Sequence, residues 1–173
     1  DLPTSFRNII RNHERWIETN GRRGERADLS NADMRGVDLT DVNLSGADLS
    51  DSVMAGAVLS GARFVMSDMH GADMTKADLS GADMKGANLT YAKFRLASLR
   101  RANLGPAELL DGRTNLTGRN WPTNMAGADL TGADLTGADF SHAITKGIVL
   151  IDAIFDHTSF TDTDINKLAG AAD

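Results

Sequence analysis

Residues 77–89 read ADLSGADMKGANL, in which Ala-Asp-Leu, Ala-Asp-Met and Ala-Asn-Leu follow one another every five positions. A helix repeats every 3.6 residues and a strand every 2, so neither element explains this period. The same phase runs without a slip from Ala27 to Asp111, and the third residue of all seventeen units is large and apolar. Two residues before these centres stand thirteen Ala, two Val and two Ser. This regularity predicts a solenoid.

Strand geometry explains the unit of five. Residues two apart on an extended segment point to the same side, so the small Ala and the large centre point inward and the Asp between them points outward. The last two positions favour Ser, Thr and Gly, which turn a corner at little cost. Each unit is therefore one side of a coil, and successive coils stack about 4.8 Å apart through backbone hydrogen bonds.

The stretches ADLSGADMKGANLTY (77–91) and ADLTGADLTGADF (128–140) resemble the pentapeptide-repeat family, whose motif is A-(D/N)-L-x-x. The resemblance implies an all-β solenoid, a right-handed quadrilateral parallel β-helix with four units per coil. It covers most of the chain and is specific, because chance does not keep seventeen units in phase.

The organisation of the chain follows from where the phase holds. The step from the centre Leu109 to the next, Met125, is sixteen residues, one more than a multiple of five. Residues 3–20 place their apolar side chains on one helical face that would cover the first coil, with His13 and Trp16 in packing roles. We expect a capping α-helix and linker (1–26), a first repeat block (27–111), a loop or bulge (112–122), a second repeat block (123–167) and a tail (168–173).

The composition argues against several kinds of chemistry. The chain has no Cys, its four His are scattered without a metal-binding spacing, and its glycines sit at corners rather than in a phosphate loop. The many Asp lie on flat outer faces without a cleft. We therefore predict no enzyme and no catalytic, cofactor or metal residue. No apolar run is long enough for a bilayer span, and we expect a cytoplasmic protein without membrane contact.

An acidic ladder is the first candidate binding surface. With four units per coil, Asp28, Asp48, Asp68, Asn88 and Glu108 share one face. Some members of the family are similar to duplex DNA in shape and charge, bind DNA gyrase or related topoisomerases and protect them from quinolones. The resemblance thus makes the four acidic residues a candidate partner site. The alternative is that Asp before Leu belongs to the repeat whatever the protein does.

The distribution of charge weakens the DNA-mimic interpretation. The chain carries net charge −6, but residues 1–26 hold six basic and four acidic groups, and a basic cluster of Lys93, Arg95, Arg100 and Arg101 interrupts the first block. A dedicated mimic should be more one-sided. Direct nucleic-acid binding is favoured still less, because the basic cluster is small and lacks interleaved aromatic residues.

Two further surfaces could bind a protein. Arg113, Arg119 and Trp121 would form a contact point if the break projects as a loop; an insertion tolerated at a corner is the equal alternative. The C-terminal coils replace the outward Asp with Ile144, Val149 and Ile154, which predicts an apolar interface and a homodimer. Ile148 and Ile151 would extend that patch. The alternative is a register slip near Thr145 that turns some of these side chains inward.

The sequence thus predicts a non-catalytic module that binds or scaffolds a protein partner. The rival hypothesis is a DNA mimic that binds gyrase or topoisomerase and alters quinolone sensitivity.

Overall fold

The structure, a computed structural model, describes residues 2–164, and the predicted tail at 168–173 lies outside these described residues. The chain begins with helix α1 (Thr4–Glu18). Strands β1 (Ala107–Leu110) and β2 (Leu116–Trp121) form an antiparallel hairpin. The rest of the described chain is a solenoid held by single-residue parallel bridges.

The bridges define the coil. Asp28 pairs with Asp48 and Asp48 pairs with Asp68, each step being 20 residues, so one turn of the coil contains four five-residue sides. The Leu29 N–H donates to the Asp48 carbonyl oxygen at 2.7 Å, and the Asp48 N–H donates to the Ala27 carbonyl oxygen at 3.0 Å. Each side thereby pairs with the sides above and below it, and the polar backbone is satisfied without continuous strands.

The core is a column inside the coil. The centre residues from Leu29 to Leu104 are at most 2% exposed, and those from Met125 to Phe140 are fully buried. The inward Ala residues lie beside this column and are also buried from Ala47 to Ala143. The centre residues predicted from the five-residue phase are therefore confirmed as inward from Leu29 to Leu104 and from Met125 to Leu150. Leu109 is half-buried in β1, Phe155 is exposed, Phe160 is half-buried, and Ile165 lies outside the described residues.

The corners require left-handed backbone. The fifth residue of a unit has positive φ, as in Tyr91 (φ 57°) and in Gly127 (φ 70°), which occupies the same corner one coil later. A Cβ on Gly127 would lie 2.6 Å from the ring of Tyr91. Gly127 therefore accepts the left-handed conformation and leaves room for the Tyr91 side chain above it.

The hairpin is an insertion in an otherwise continuous coil. Before the hairpin, Asn103 pairs with Asp83, which lies 20 residues earlier in the chain. After the hairpin, Asn124 pairs with Asn88, which lies 36 residues earlier. The chain leaves the coil at Ala107, before the predicted loop at 112–122 begins. We call the inserted segment, residues 107–122, the arm. Its antiparallel pairing joins Ala107 to Trp121.

Thr123 fixes the base of the arm. It is fully buried, its hydroxyl donates to the Gly105 carbonyl oxygen at 2.9 Å, and the Gly86 N–H donates to the hydroxyl oxygen at 2.9 Å. These bonds reinforce the backbone hydrogen bond from the Gly86 N–H to the Gly105 carbonyl oxygen, which is longer, at 3.3 Å, where the arm leaves the coil. The coil resumes in phase directly after this residue.

Helix α1 covers the first coil through His13, a buried residue at the centre of its inner face. The Ala27 N–H donates to Nδ1 of His13 at 3.0 Å, so Nε2 carries the hydrogen and donates to the Ser45 carbonyl oxygen at 2.9 Å. Trp16 stacks on the imidazole with ring centroids 5.4 Å apart. The predicted packing roles of His13 and Trp16 are confirmed, and His13 also links the helix by hydrogen bonds to the first and the last side of the first coil.

Protonation of His13 should loosen the cap. Burial lowers its pKa, with the Arg26 guanidinium lowering it further against the opposing Ser45 hydrogen bond. Between that lowered pKa and the ordinary value of about 6.5, the unfolded chain binds a proton that the native chain does not. The free energy of unfolding should therefore rise with pH through this window and level off above it. Urea unfolding between pH 5 and 7.5 measures this.

The control is His13→Gln, which keeps the other three histidines. Its free energy of unfolding should vary less with pH than that of the unmodified protein, since the added proton on Nδ1 would oppose the Ala27 N–H. Parallel pH profiles for the two proteins would contradict the role given to His13.

Candidate partner-binding surfaces

The Asp side chains of the repeat hold the corners of the coil. Oδ1 of Asp48 accepts hydrogen bonds from the Ser50 N–H at 3.0 Å and from the Ser50 hydroxyl at 2.6 Å. Asp28 makes the same two bonds with Ser30. This is an Asx turn, which explains why Asp or Asn precedes the centre residue in most units. The abundance of Asp is thus largely a requirement of the fold.

The predicted acidic ladder is shorter than expected. Asp28, Asp48 and Asp68 do pair in succession on one side of the coil, followed by Asn88. Placing Glu108 on the next rung was wrong, because it lies in β1 opposite Asn120 and the rung is Asn124. Hydrogen bonds from Ser30 lower the pKa of Asp28, with the Arg26 charge adding to the effect. The ladder therefore carries three carboxylates rather than four.

Two of the four residues of the basic cluster form ion pairs. Arg95 lies 2.9 Å from Asp129, and Arg100 lies 2.7 Å from Asp134, each across the junction between the two repeat blocks. Both pairs are exposed, so they add little to stability. They do neutralise much of the local charge on the coil, and the cluster is a weak candidate for binding an anion.

The arm carries the predicted loop residues in exposed positions. Arg113, Arg119 and Trp121 are all exposed, and Trp121 is 53% exposed at the end of β2. The turn between the strands is ordered by Asp111, whose Oδ1 accepts from the backbone N–H groups of Arg113 at 2.7 Å and Asn115 at 2.9 Å. The break is thus a formed hairpin with an internally bonded turn.

The C-terminal apolar residues do not share one side. Ile144, Val149 and Ile154 pair with Asn124, Asp129 and Asp134, so they lie on three successive sides of the last coil. Ile144 is 41% and Ile154 50% exposed. Including Ile148 in the patch was wrong: it occupies the inward Ala position and is 4% exposed.

The predicted homodimer would have to use the end of the coil, where the centre residue Phe155 is 44% exposed. A second copy meeting the last coil along its axis could touch residues from all three sides, whereas a copy meeting one side could not. The homodimer remains a prediction.

The described residues contain neither a metal-ligand cluster nor a membrane-spanning helix. Within residues 2–164, no three His, Asp or Glu side chains are placed to hold a metal ion. No helix in this part of the chain has the length and apolar character to span a membrane.

The sequence reasoning missed two apolar arm residues, Leu110 and Leu116, which face each other across the hairpin and are 56% and 67% exposed. It also missed Arg63 and Lys85, which lie beneath the arm. Leucines flanking the turn sequence DGRTN (111–115) were a usable hairpin signal. The phase of the repeat hid it, since Leu109 still fits the five-residue spacing.

A model of pentapeptide repeats matches the chain in eight copies, over residues 25–54, 38–75, 52–90, 67–105, 123–148 and 133–167. The chain belongs to the pentapeptide repeat family. The arm falls in the gap between the matched segments. No curated protein matches the sequence.

Solved structures share the fold. A pentapeptide repeat protein from the thylakoid lumen of Arabidopsis thaliana is 33% identical with a TM-score of 0.51, over 63% of this chain and 65% of that chain. QnrB1, a plasmid-mediated fluoroquinolone resistance protein, is 22% identical with a TM-score of 0.51, over 86% of this chain and 77% of that chain. This chain thus spans less than two thirds of the Arabidopsis structure.

Replacing Asp48 separates its turn from its charge. Asp48→Ala removes the acceptor for Ser50, and the free energy of unfolding should fall by about 1 kcal/mol. Asp48→Asn keeps Oδ1 and should change it by less than about 0.5 kcal/mol. Urea unfolding at pH 7 measures both. An equal loss in the two variants would mean that the carboxylate charge, rather than the turn, is what the fold needs.

Proposed function

We propose that the protein is a non-catalytic protein-binding module and that the arm is its principal contact surface. The observation that carries this proposal is exposed apolar area on an otherwise regular solenoid: Leu110, Leu116 and Trp121 are 56%, 67% and 53% exposed. We also infer that the coil is a right-handed quadrilateral β-helix, since membership of the family implies the hand.

The residue types of the arm suit a protein contact. Trp and Arg are enriched among residues that dominate binding energy, and the arm presents Trp121 with Arg113 and Arg119. The arm stands on a rigid base, since Thr123 bonds to two neighbouring coils. A projecting segment on a rigid scaffold loses little conformational entropy on binding.

The sides of the coil are less suited to binding or catalysis. Their Asp side chains are engaged in turns, and their basic groups Arg95 and Arg100 are paired with Asp129 and Asp134. A flat surface of this kind neither desolvates a carboxylate nor encloses a substrate. This is the support for a non-catalytic role.

An affinity-capture experiment tests the arm. The unmodified protein should capture one or more proteins from a lysate of its source organism. The arm variant Leu110→Ser/Leu116→Ser/Trp121→Ser should lose at least ten-fold of that signal by quantitative mass spectrometry. Because the exposed arm residues are mostly apolar, raising salt from 0.1 to 0.5 M should weaken capture less than the arm variant does.

The matched control changes the coil instead of the arm. The variant Asp28→Asn/Asp48→Asn/Asp68→Asn keeps the turn acceptors and should capture the same proteins as the unmodified chain. If the arm variant captures them equally well, or only the ladder variant loses them, the arm is not the contact surface.

DNA mimicry directed at gyrase is the second candidate. Its support is the unbroken ladder of Asp28, Asp48 and Asp68 on one side. Two features count against it. The three charges stand about 4.8 Å apart, whereas each DNA strand carries a phosphate about every 3.4 Å. The next two rungs are the neutral Asn88 and Asn124.

A supercoiling assay separates the two candidates. The protein-binding proposal expects no change in gyrase supercoiling, with or without a quinolone, at up to about 10 µM protein, which corresponds to binding weaker than about −7 kcal/mol. Inhibition or drug protection that the triple Asp→Asn ladder variant abolishes would establish the mimic and replace the arm as the functional surface.

A further inference from the structure

An open groove of about 480 Å³ lies between the arm and one side of the coil. Its floor includes Arg63, Val65 and Lys85 from the coil, and its wall includes Leu110 and Leu116 from the arm. The volume is in the range of about 300–1,000 Å³ that ligand sites occupy. We propose that this groove binds an extended, acidic segment of a partner protein, whose apolar side chains pack against the wall. The inference rests on the proposed function and specifies its partner.

Leu110 and Leu116 form the apolar part of the wall, beside the polar pair of Glu108 and Asn120. Leu110 and Leu116 are partners in the antiparallel pair, so their side chains lie on the same face of the hairpin. Both are more than half exposed. A hairpin of two strands is marginally stable by itself in water, and a segment seated against this face would bury its two large side chains. Burial of the Leu110 and Leu116 side chains supplies the part of the affinity that does not depend on the charge of the bound segment.

The floor supplies the charge preference. Arg63 occupies a position where most units have Asp or Asn, it is exposed, and it forms no ion pair with any residue in 2–164. Lys85 Nζ is 3.7 Å from Asp83, which is a loose contact. Two basic groups of the floor can therefore each receive a carboxylate from the bound segment, and Glu108 of the arm is the one acidic residue among those that line the groove.

The surroundings make this place electrostatically distinct. The arm and the floor together hold four basic side chains, and the acidic ones are Asp83, Glu108 and Asp111. The carboxylate of Asp111 is occupied by the turn. The whole chain carries net charge −6. An acidic segment is thus repelled from most of the surface and attracted to the groove, which favours one binding place over many.

The floor is also preorganised. The Arg63 N–H donates to the Val42 carbonyl oxygen at 2.9 Å, and the Met66 N–H donates to the Lys85 carbonyl oxygen at 2.9 Å. Both basic residues therefore stand on backbone that is fixed to the neighbouring coils. Binding therefore needs no ordering of the backbone at the floor, and only the two side chains lose freedom.

The test uses two fluorescein-labelled octapeptides, one alternating Glu and Leu and the other alternating Lys and Leu. Fluorescence anisotropy with the full chain should show the Glu-Leu peptide binding at least ten-fold more tightly. In the variant Arg63→Glu/Lys85→Glu that preference should be lost or reversed. The control Arg35→Glu/Lys146→Glu changes the net charge equally, away from the groove, and should keep the preference.

A second pair of variants tests the wall. Leu110→Ser/Leu116→Ser should weaken Glu-Leu binding at least ten-fold, while Leu96→Ser, which removes an equally exposed leucine of the coil, should leave it unchanged. Equal affinity of the unmodified protein for both peptides overturns the inference, and so does an equal loss in the paired control.

These experiments distinguish failure of the groove inference from failure of the proposed function. If capture of partner proteins depends on the arm but the Glu-Leu peptide does not bind, the groove inference is wrong and the partner contacts the outer side of the arm at Trp121. If neither depends on the arm, the proposed function and the inference fail together.

Discussion

The structure depends on one repeated interaction, the hydrogen bond from the N–H of a centre residue to a carbonyl oxygen on the next coil, which lies 19 positions later, or 35 positions later where the arm intervenes. The distance from the Leu29 nitrogen to the Asp48 oxygen is 2.7 Å. The distance from the Phe94 nitrogen to the Asp129 oxygen, across the arm, is also 2.7 Å. Each bond sits between a small inward residue and a large one. The coils can approach this closely only because the inward neighbour is usually Ala, and the large centres then fill the axis.

This constraint leaves few places for function. A unit that must point two residues inward and use its Asp for the turn has little surface to vary, and even its charges are largely engaged, as Arg100 is with Asp134. The arm escapes the constraint because both of its ends lie at one corner, next to Gly86 and Thr123. A change in the sequence of the arm therefore affects only the backbone hydrogen bonds of the coil at the base of the arm. We therefore place partner recognition in the arm and the groove beneath it.

The sequence predicted the coil well because each unit repeats its own packing rule. The buried column from Leu29 to Leu104 and the docking of His13 followed from spacing alone, while the number of sides came from a family resemblance. Glu108 and Ile148 were misplaced for different reasons. Position in a period does not reveal where the chain leaves the coil, which is why Glu108 was misplaced. The phase does put Ile148 inward, two residues before the centre Leu150, and it was added to the patch only because it is apolar. The groove joins Arg63 to Leu116, 53 residues apart in the chain, and only the folded hairpin brings them together.

Removing residues 107–122 tests the division between scaffold and arm most directly, because joining Pro106 to Thr123 restores the five-residue phase. We predict that this shortened chain still folds, with a cooperative thermal transition by circular dichroism within a few degrees of that of the full protein. A chain that is unfolded, or that melts without cooperativity, would contradict it. The arm would then be part of what holds the two repeat blocks together.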